Sequence, residues 1–205
     1  RSWVAPAQSS VLMSVLLFPP DALASPAWLT ALGAVAAAEI VEEFTGMPAQ
    51  IKWPNDVRVR GRKIAGILVE RGQGAVLGIG LNVNILLSQF PSWMREQSSS
   101  LEILTGGPLD RSEVARALIQ RLDKRYTQGL RGDTGALAHD WRARFEPLGR
   151  RVRVCTTTSV SLAGELIDAH LVHGLAISSS SGDTQRLPFE EVVTLHYDDD
   201  EPQLI

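Results

Sequence analysis

The sequence predicts an α/β (α+β) protein: a mixed sheet packed with helices, followed by a small all-β domain. Up to about residue 145, short apolar strand-like runs are mixed with stretches of helical period. After Pro147-Leu148-Gly149 the pattern changes to β-branched and polar alternation with a glycine about every ten residues. We therefore expect one domain over 1–147 and a second over 148–205.

The first domain opens with a strand and a long helix. Residues 11–18 form an apolar run that Pro19-Pro20 closes, which is typical of a buried strand. Ser25 and Pro26 are a good N-cap and first helical residue, and Gly46 is a natural C′ residue. These signals predict a helix over 26–45.

Strands and then helices follow. Strand-like runs occur at 50–53, 63–70 and 75–83, separated by turn-forming residues. Further along, apolar residues recur every four positions, and Asp110 with Glu113 resembles a capping box. Two helices are predicted there, over about 111–128 and 134–145.

Composition excludes several classes of protein. The chain has 205 residues, is 44% hydrophobic and carries a formal net charge of −3, whereas dedicated nucleic-acid binders usually carry a basic excess. No apolar window is long enough to span a membrane. The single cysteine forms no internal disulfide, and we expect a cytoplasmic protein.

Neither the histidines nor the cysteine has the spacing of a metal site. His139, His170, His173 and His196 have no cysteine cluster near them, so we predict no zinc. Cys155 is predicted to be a small buried hydrophobic residue. The arginines of 58–62 and 142–153 are interpreted mostly as solvated charges.

The most informative stretch is Lys52-Trp53-Pro54-Asn55-Asp56. A strand end followed by an amide and a carboxylate suits a nucleotide-metal site, because Mg²⁺ takes one or two carboxylates plus phosphate oxygens. Asp56 is the candidate carboxylate. The alternative is a simple turn after proline.

Lys63 begins the next predicted strand, Lys63-Ile64-Ala65-Gly66-Ile67-Leu68-Val69-Glu70. A lysine here can be a solvated strand end, or it can serve chemistry. When a carboxylate attacks a triphosphate, two anions 4 Å apart repel by about 4 kcal/mol at an effective dielectric near 20, and a fixed cation removes that obstacle. Gly66 would let a ligand approach the backbone, or mark a bulge.

Glycines alternate in Gly78-Ile79-Gly80-Leu81-Asn82. Alternate strand residues share a face, so Gly78 and Gly80 leave a smooth concavity for a flat ligand. The run is not a dinucleotide fingerprint, since the third glycine is missing.

In this order, the segments 52–56, 63–70 and 78–82 resemble the motifs of biotin protein ligases. The resemblance begins at Arg1-Ser2-Trp3, similar to the end of that family's Gly/Arg-rich biotin-binding loop. It extends to the second domain, which resembles the family's small SH3-like β-barrel. It implies a class II synthetase-like catalytic domain over 1–147, whose N-terminal part is absent.

The resemblance implies a role for each candidate residue. Lys63 would be the catalytic lysine, bridging the biotin carboxylate and the α-phosphate. The other implied biotin-binding residues are Ala65, Gly66, Ile67, Gly78, Gly80 and Leu81. The implied ATP-binding residues are Arg1, Trp3, Asn55, Asp56 and Asn82, with Asp56 also binding Mg²⁺.

The implied activity is that of a biotin–[acetyl-CoA-carboxylase] ligase. Such enzymes use ATP and Mg²⁺ to form biotinyl-5′-AMP and transfer biotin to a lysine of a biotin carboxyl carrier protein domain. Family members can form homodimers, whereas DNA binding gains no support because no helix-turn-helix domain is present. The family's Ser-Thr-Asn turn and loop arginines do not precede Arg1, so we expect the chain as written to bind biotin poorly. His196 stands where some relatives have an arginine.

Two alternatives stay open. One is a lipoate- or octanoate-type ligase, which resembles the same fold; an octanoyl transferase needs a cysteine nucleophile, and Cys155 lies in the other domain. The other is a truncated, non-catalytic biotin-binding or carrier-docking module.

Overall fold

The structure is a computed structural model that describes Trp3 and residues 5–197. The chain divides into two compact units, the first ending at Arg144 and the second beginning at Phe145. Each unit has its own sheet and its own core.

The first unit is built on a five-stranded sheet in the order β1-β5-β4-β3-β2, and all neighbouring strands are antiparallel. The sheet was predicted to be mixed, whereas its five strands form an antiparallel ladder. Among the described residues, one isolated parallel bridge joins Lys63 to Ser98. The strands are β1 (Ser10–Leu17), β2 (Gln50–Lys52), β3 (Asp56–Val59), β4 (Arg62–Arg71) and β5 (Ala75–Asn82).

Helix α1 (Pro26–Thr45) covers one face of this sheet. Ser25 Oγ accepts the Trp28 N–H at 3.0 Å, and Gly46 ends the helix with φ 66°. A Cβ on Gly33 would lie 2.9 Å from Ile67 Cγ2, so this glycine allows the close packing of α1 on the sheet. The remaining helices are α2 (Leu101–Thr105), α3 (Arg111–Leu130) and α4 (Gly135–Arg144).

The two faces of the sheet differ in cover. On the α1 face, Ala65, Ile67 and Leu81 are no more than 2% exposed. On the opposite face Leu12 is 63% exposed and Leu68 is 48% exposed. This second face, called the open face below, is where a ligand can reach the sheet.

The second unit is a five-stranded antiparallel sheet in the order β10-β6-β7-β8-β9. Inward-facing Val152, Val154 and Leu166 are fully buried. The predicted fold class is confirmed, whereas closure of this sheet into a barrel stays a prediction. The strands are β6 (Arg151–Thr156), β7 (Ser161–His170), β8 (Gly174–Ser178), β9 (Thr184–Leu187) and β10 (Val192–Tyr197).

Local signals place the long elements well and miss two short ones. The predicted helix 26–45 coincides with α1, but β3 and α2 are not predicted. The prediction that Cys155 is buried is wrong: it is half-buried, since it shares the outward-facing phase of β6 with Arg151 and Arg153. Among the described residues, no helix combines the length and apolar character needed to cross a bilayer.

Candidate active site

A row of directly paired residues crosses the first sheet. Lys52 is opposite Asp56, Asp56 opposite Gly66, Gly66 opposite Gly80, and Gly80 opposite Leu12. Residues opposite each other in antiparallel strands point to the same face. Because Leu12 is exposed, this row lies on the open face, with two glycines at its centre.

A β-bulge brings Lys63 to this face. The β3–β4 register shifts between Val57, opposite Ala65, and Arg58, opposite Lys63, so β4 contains one extra residue, Ile64. Strict alternation would put Lys63 and Gly66, three positions apart, on opposite faces. The extra residue reverses that phase, as bulges beside functional sites commonly do.

The Lys63 ammonium therefore lies beside Gly66 on the open face. Its Nζ would be 3.1 Å from a Cβ on Gly66, and it lies 2.5 Å from Asp56 Oδ1. Both side chains are partly accessible, at 31% and 21% exposure. The arrangement is a cation held in place by a carboxylate beside Gly66.

The indole of Trp3 lies against the two paired glycines. A Cβ on Gly80 would be 2.7 Å from Trp3 Cδ2, and one on Gly66 would be 2.9 Å from Cζ3. Lys63 Nζ is 5.4 Å from the centroid of the ring, within the range of a cation–π contact. The indole N–H is buried and has no hydrogen-bond partner among the described residues.

Asn55 holds the backbone of β4. Its carbonyl accepts the Ile67 N–H at 2.9 Å, and its side-chain amide donates to the Ile67 carbonyl. The sequence expectation assigned Asn55 to nucleotide phosphates. The structure gives its amide a backbone partner, the Ile67 carbonyl.

The remaining predicted residues fall into three groups. Ala65, Ile67 and Leu81 point their side chains to the α1 face, so only their backbones border the open face. Gly78 lies on the open face opposite Leu68 and Ser14. The prediction for Arg1 lies outside the described residues.

Asn82 ends β5 and contacts a segment that sequence reasoning did not single out. Its amide donates to the Ser99 carbonyl at 2.9 Å, and both residues are buried. The Lys63 N–H donates to the Gln97 carbonyl at 2.7 Å, and the Ser99 N–H donates to the Lys63 carbonyl at 2.8 Å. No sequence motif marks Gln97–Ser99, because the segment contacts Lys63 and Asn82 through its backbone groups.

The site offers limited protein ligands for a metal. Among the described residues, no cluster of three or more histidine, cysteine or acidic side chains has the geometry of a metal site. Asp56 supplies one carboxylate, with Oδ1 already on Lys63. One carboxylate fits an Mg²⁺ that arrives with nucleotide phosphates better than a resident metal.

Comparison with known families decides the classification. Residues 1–85 match the model of the biotin/lipoate A/B protein ligase family, and they include the glycine row and Lys63. The chain belongs to this family through its first domain. As a member of the biotin/lipoate ligase family, it matches relatives over about three quarters of its length.

Two of these relatives are bacterial ligases. The bifunctional ligase/repressor BirA of Bacillus subtilis is 32% identical over 162 residues, which are 76% of this chain and 50% of that protein. The biotin–[acetyl-CoA-carboxylase] ligase of Mycobacterium tuberculosis is 36% identical over 159 residues, or 75% of this chain and 58% of that protein. This family member thus spans about half the length of the curated relatives it matches.

A solved structure shares the fold. The biotin protein ligase from Aquifex aeolicus in complex with biotin and ATP has a TM-score of 0.84 and 24% sequence identity, covering 96% of this chain and 82% of that one. Both units of this biotin/lipoate ligase family member are therefore covered by a known architecture.

Proposed function

We propose that this chain is an ATP-dependent biotin protein ligase, of the biotin–[acetyl-CoA-carboxylase] ligase type. The observation that carries the proposal is the Lys63 ammonium beside Gly66, with Asp56 at 2.5 Å and the paired Gly80 under Trp3. The name of the Mycobacterium tuberculosis relative, a biotin–[acetyl-CoA-carboxylase] ligase, favours biotin as the acid.

The first reaction requires two anions to meet. A biotin carboxylate oxygen attacks the α-phosphorus of ATP; the new O–P bond forms as the bond to the β-phosphate oxygen breaks, giving biotinyl-5′-AMP and pyrophosphate. Lys63 reduces the repulsion between the carboxylate and the phosphate and stabilises charge on the phosphate oxygens in the transition state. Asp56 restrains the lysine by its ion pair.

The glycine row and Trp3 suit a flat ligand with a polar end. Side chains at Gly66 and Gly80 would occupy the space above the sheet, whereas glycine leaves it to an aromatic ring or a ligand. The buried Trp3 N–H offers one hydrogen bond. Small-molecule sites typically combine such apolar surfaces with few polar groups.

ATP enters as its Mg²⁺ complex. Asp56 is the described carboxylate nearest the lysine, and its second oxygen can take a metal bound to phosphates. In this proposal Asn55 and Asn82 support the site through their bonds to Ile67 and Ser99.

In the second reaction a lysine amine of a biotin carboxyl carrier protein domain attacks the acyl carbon of biotinyl-5′-AMP. An amide bond forms, the bond to AMP breaks, and the amine loses its proton. A cytoplasmic location, a homodimer and the lack of DNA binding belong to the same proposal. Its two-domain assignment is catalytic over 1–147 and SH3-like over 148–205.

The experiment is biotin-dependent exchange of labelled pyrophosphate into ATP, run in parallel with lipoate and octanoate. We expect exchange with biotin and much less with the other two acids. Exchange with lipoate alone would make the chain a lipoate-type ligase, which the family description also covers. Binding of biotin without exchange would identify a non-catalytic module.

A further inference from the structure

The main chain at Lys63 is held by a segment far along the sequence. The N–H and carbonyl of Lys63 both bond to Gln97–Ser99, at 2.7 and 2.8 Å, in the pattern of a parallel bridge. β5 ends at Asn82, and its pairing with β4 stops at Ala65. Gln97–Ser99 therefore provides the backbone partner of Lys63 beyond the end of that ladder.

Asn82 fixes this segment from the end of β5. Its amide donates to the Ser99 carbonyl, in a bond that is buried, with Asn82 5% and Ser99 1% exposed. Ser99 thus donates its N–H to the Lys63 carbonyl, and its own carbonyl accepts the Asn82 amide. Leaving the buried Ser99 carbonyl without a donor would cost folding free energy, so the hydrogen bond from Asn82 stabilises this arrangement.

The bulge at Ile64 makes the position of Lys63 sensitive to this contact. Hydrogen bonds to Gln97 and Ser99 hold the backbone of β4 at Lys63. Loss of these hydrogen bonds would allow β4 to change its register against β3. A register change of one residue moves a side chain to the other face of a sheet.

We propose that Asn82 is a positioning residue: by holding Ser99 against the backbone of Lys63, it keeps the lysine on the open face. This differs from a direct contact between Asn82 and nucleotide phosphates. Its effect on catalysis rests on the proposed ligase function, whereas its effect on the backbone does not.

The test variant is Asn82→Asp, which keeps the size but turns a carboxylate oxygen toward the Ser99 carbonyl. The control is Asn84→Asp, because Asn84 makes a similar amide contact to the Leu109 backbone, at 2.8 and 2.9 Å, away from Lys63. Asn82→Ser is a milder second variant, which removes the donor without adding charge. A thermal melt accompanies each.

Two readouts on ligand-free protein test the backbone part. We expect amide hydrogen exchange at Lys63 and Ser99 to accelerate by about tenfold or more in both Asn82 variants and not in Asn84→Asp. Acetylation of the Lys63 amine, measured by peptide mass spectrometry, should change rate in the same variants only. Unchanged exchange and labelling in both Asn82 variants would overturn the proposal.

Kinetics test the catalytic part. If Asn82 positions Lys63, kcat for pyrophosphate exchange should fall by about tenfold to a hundredfold while the KM for ATP changes little. If instead the KM for ATP rises while kcat and the amide exchange rates stay at their wild-type values, Asn82 is a nucleotide ligand. That result would contradict the proposal. If the wild-type chain has no exchange activity, the proposed function fails, and the backbone readouts still decide the role of Asn82.

Discussion

The indole of Trp3 lies directly against Gly80, where a methyl group on the glycine would take its space. A Cβ on Gly80 would approach Trp3 Cδ2 to 2.7 Å, a separation that carbon atoms do not adopt without displacement. Because the indole can move more easily than the strand, we predict that Gly80→Ala displaces Trp3 and costs little stability.

The measurement is tryptophan fluorescence together with biotin titration. Gly80→Ala should shift the emission and weaken biotin binding by about tenfold or more, a loss of about 1.4 kcal/mol. The matched control is Gly78→Ala, whose Cβ has its nearest contact at 3.5 Å, to the Leu68 carbonyl oxygen. Equal effects of the two variants would count against a specific contact of Trp3 with Gly80.

Lys63→Ala should abolish most of the adenylation activity. We expect pyrophosphate exchange to fall by at least about a hundredfold, the scale of losing a transition-state charge contact. Stability should change little, since Lys63 is partly exposed and its backbone bonds persist. Lys124→Ala, the same change at an exposed residue of α3, is the control. Near-normal exchange in a folded Lys63→Ala protein would refute this role.

Asp56→Asn separates a charge effect from a structural effect. The change keeps the side-chain size but removes the charge that faces Lys63 and that, in the proposed function, would bind Mg²⁺. We expect weaker use of ATP with an altered dependence on Mg²⁺, and a loss of at most about 1 kcal/mol of unfolding free energy, as for other partly exposed ion pairs. A large drop in Tm with unchanged Mg²⁺ dependence would instead give Asp56 a structural role alone.

Arg125 is predicted to stabilise the helices away from the site. It bonds both Glu39 on α1 and Asp140 on α4, and its side chain is only 11% exposed. Arg125→Met would leave two carboxylates without their shared cation, at a cost of about 1.5–3 kcal/mol in unfolding free energy. The control, Arg121→Met, removes the more exposed pair with Glu43 and should cost less than about 1 kcal/mol. Urea denaturation measures both, and a reversed order would disprove the prediction.

Prediction from sequence succeeds where the cause of a structure is local. Helix α1 begins and ends where Ser25 and Gly46 place it, because a side-chain cap and a left-handed glycine act within a few residues. Strand β3 is missed because Asn55 and Asp56 favour turns, and only pairing with β4 makes the segment extended.

Parts of the site depend on distant contacts and were therefore not predictable. Lys63, Asp56 and the glycines are identified by residue type and order. Nothing in the pattern marks Ile64 as an extra residue, since it is as apolar and buried as Ile67. The backbone bonds from Gln97 and Ser99 that accompany this bulge involve no distinctive side chain.

The bulge also links the length of this stretch of chain to the way in which it pairs. Strand side chains obey a parity rule, and Lys63 and Gly66 are separated by an odd number of positions yet share a face. At this odd interval only the bulged pairing keeps the lysine on the open face, because regular pairing over three positions would turn it toward the buried side. The interval and the bulge are therefore linked: a shortening by one residue would suit regular pairing, whereas a design that keeps three positions must also keep the extra residue at Ile64.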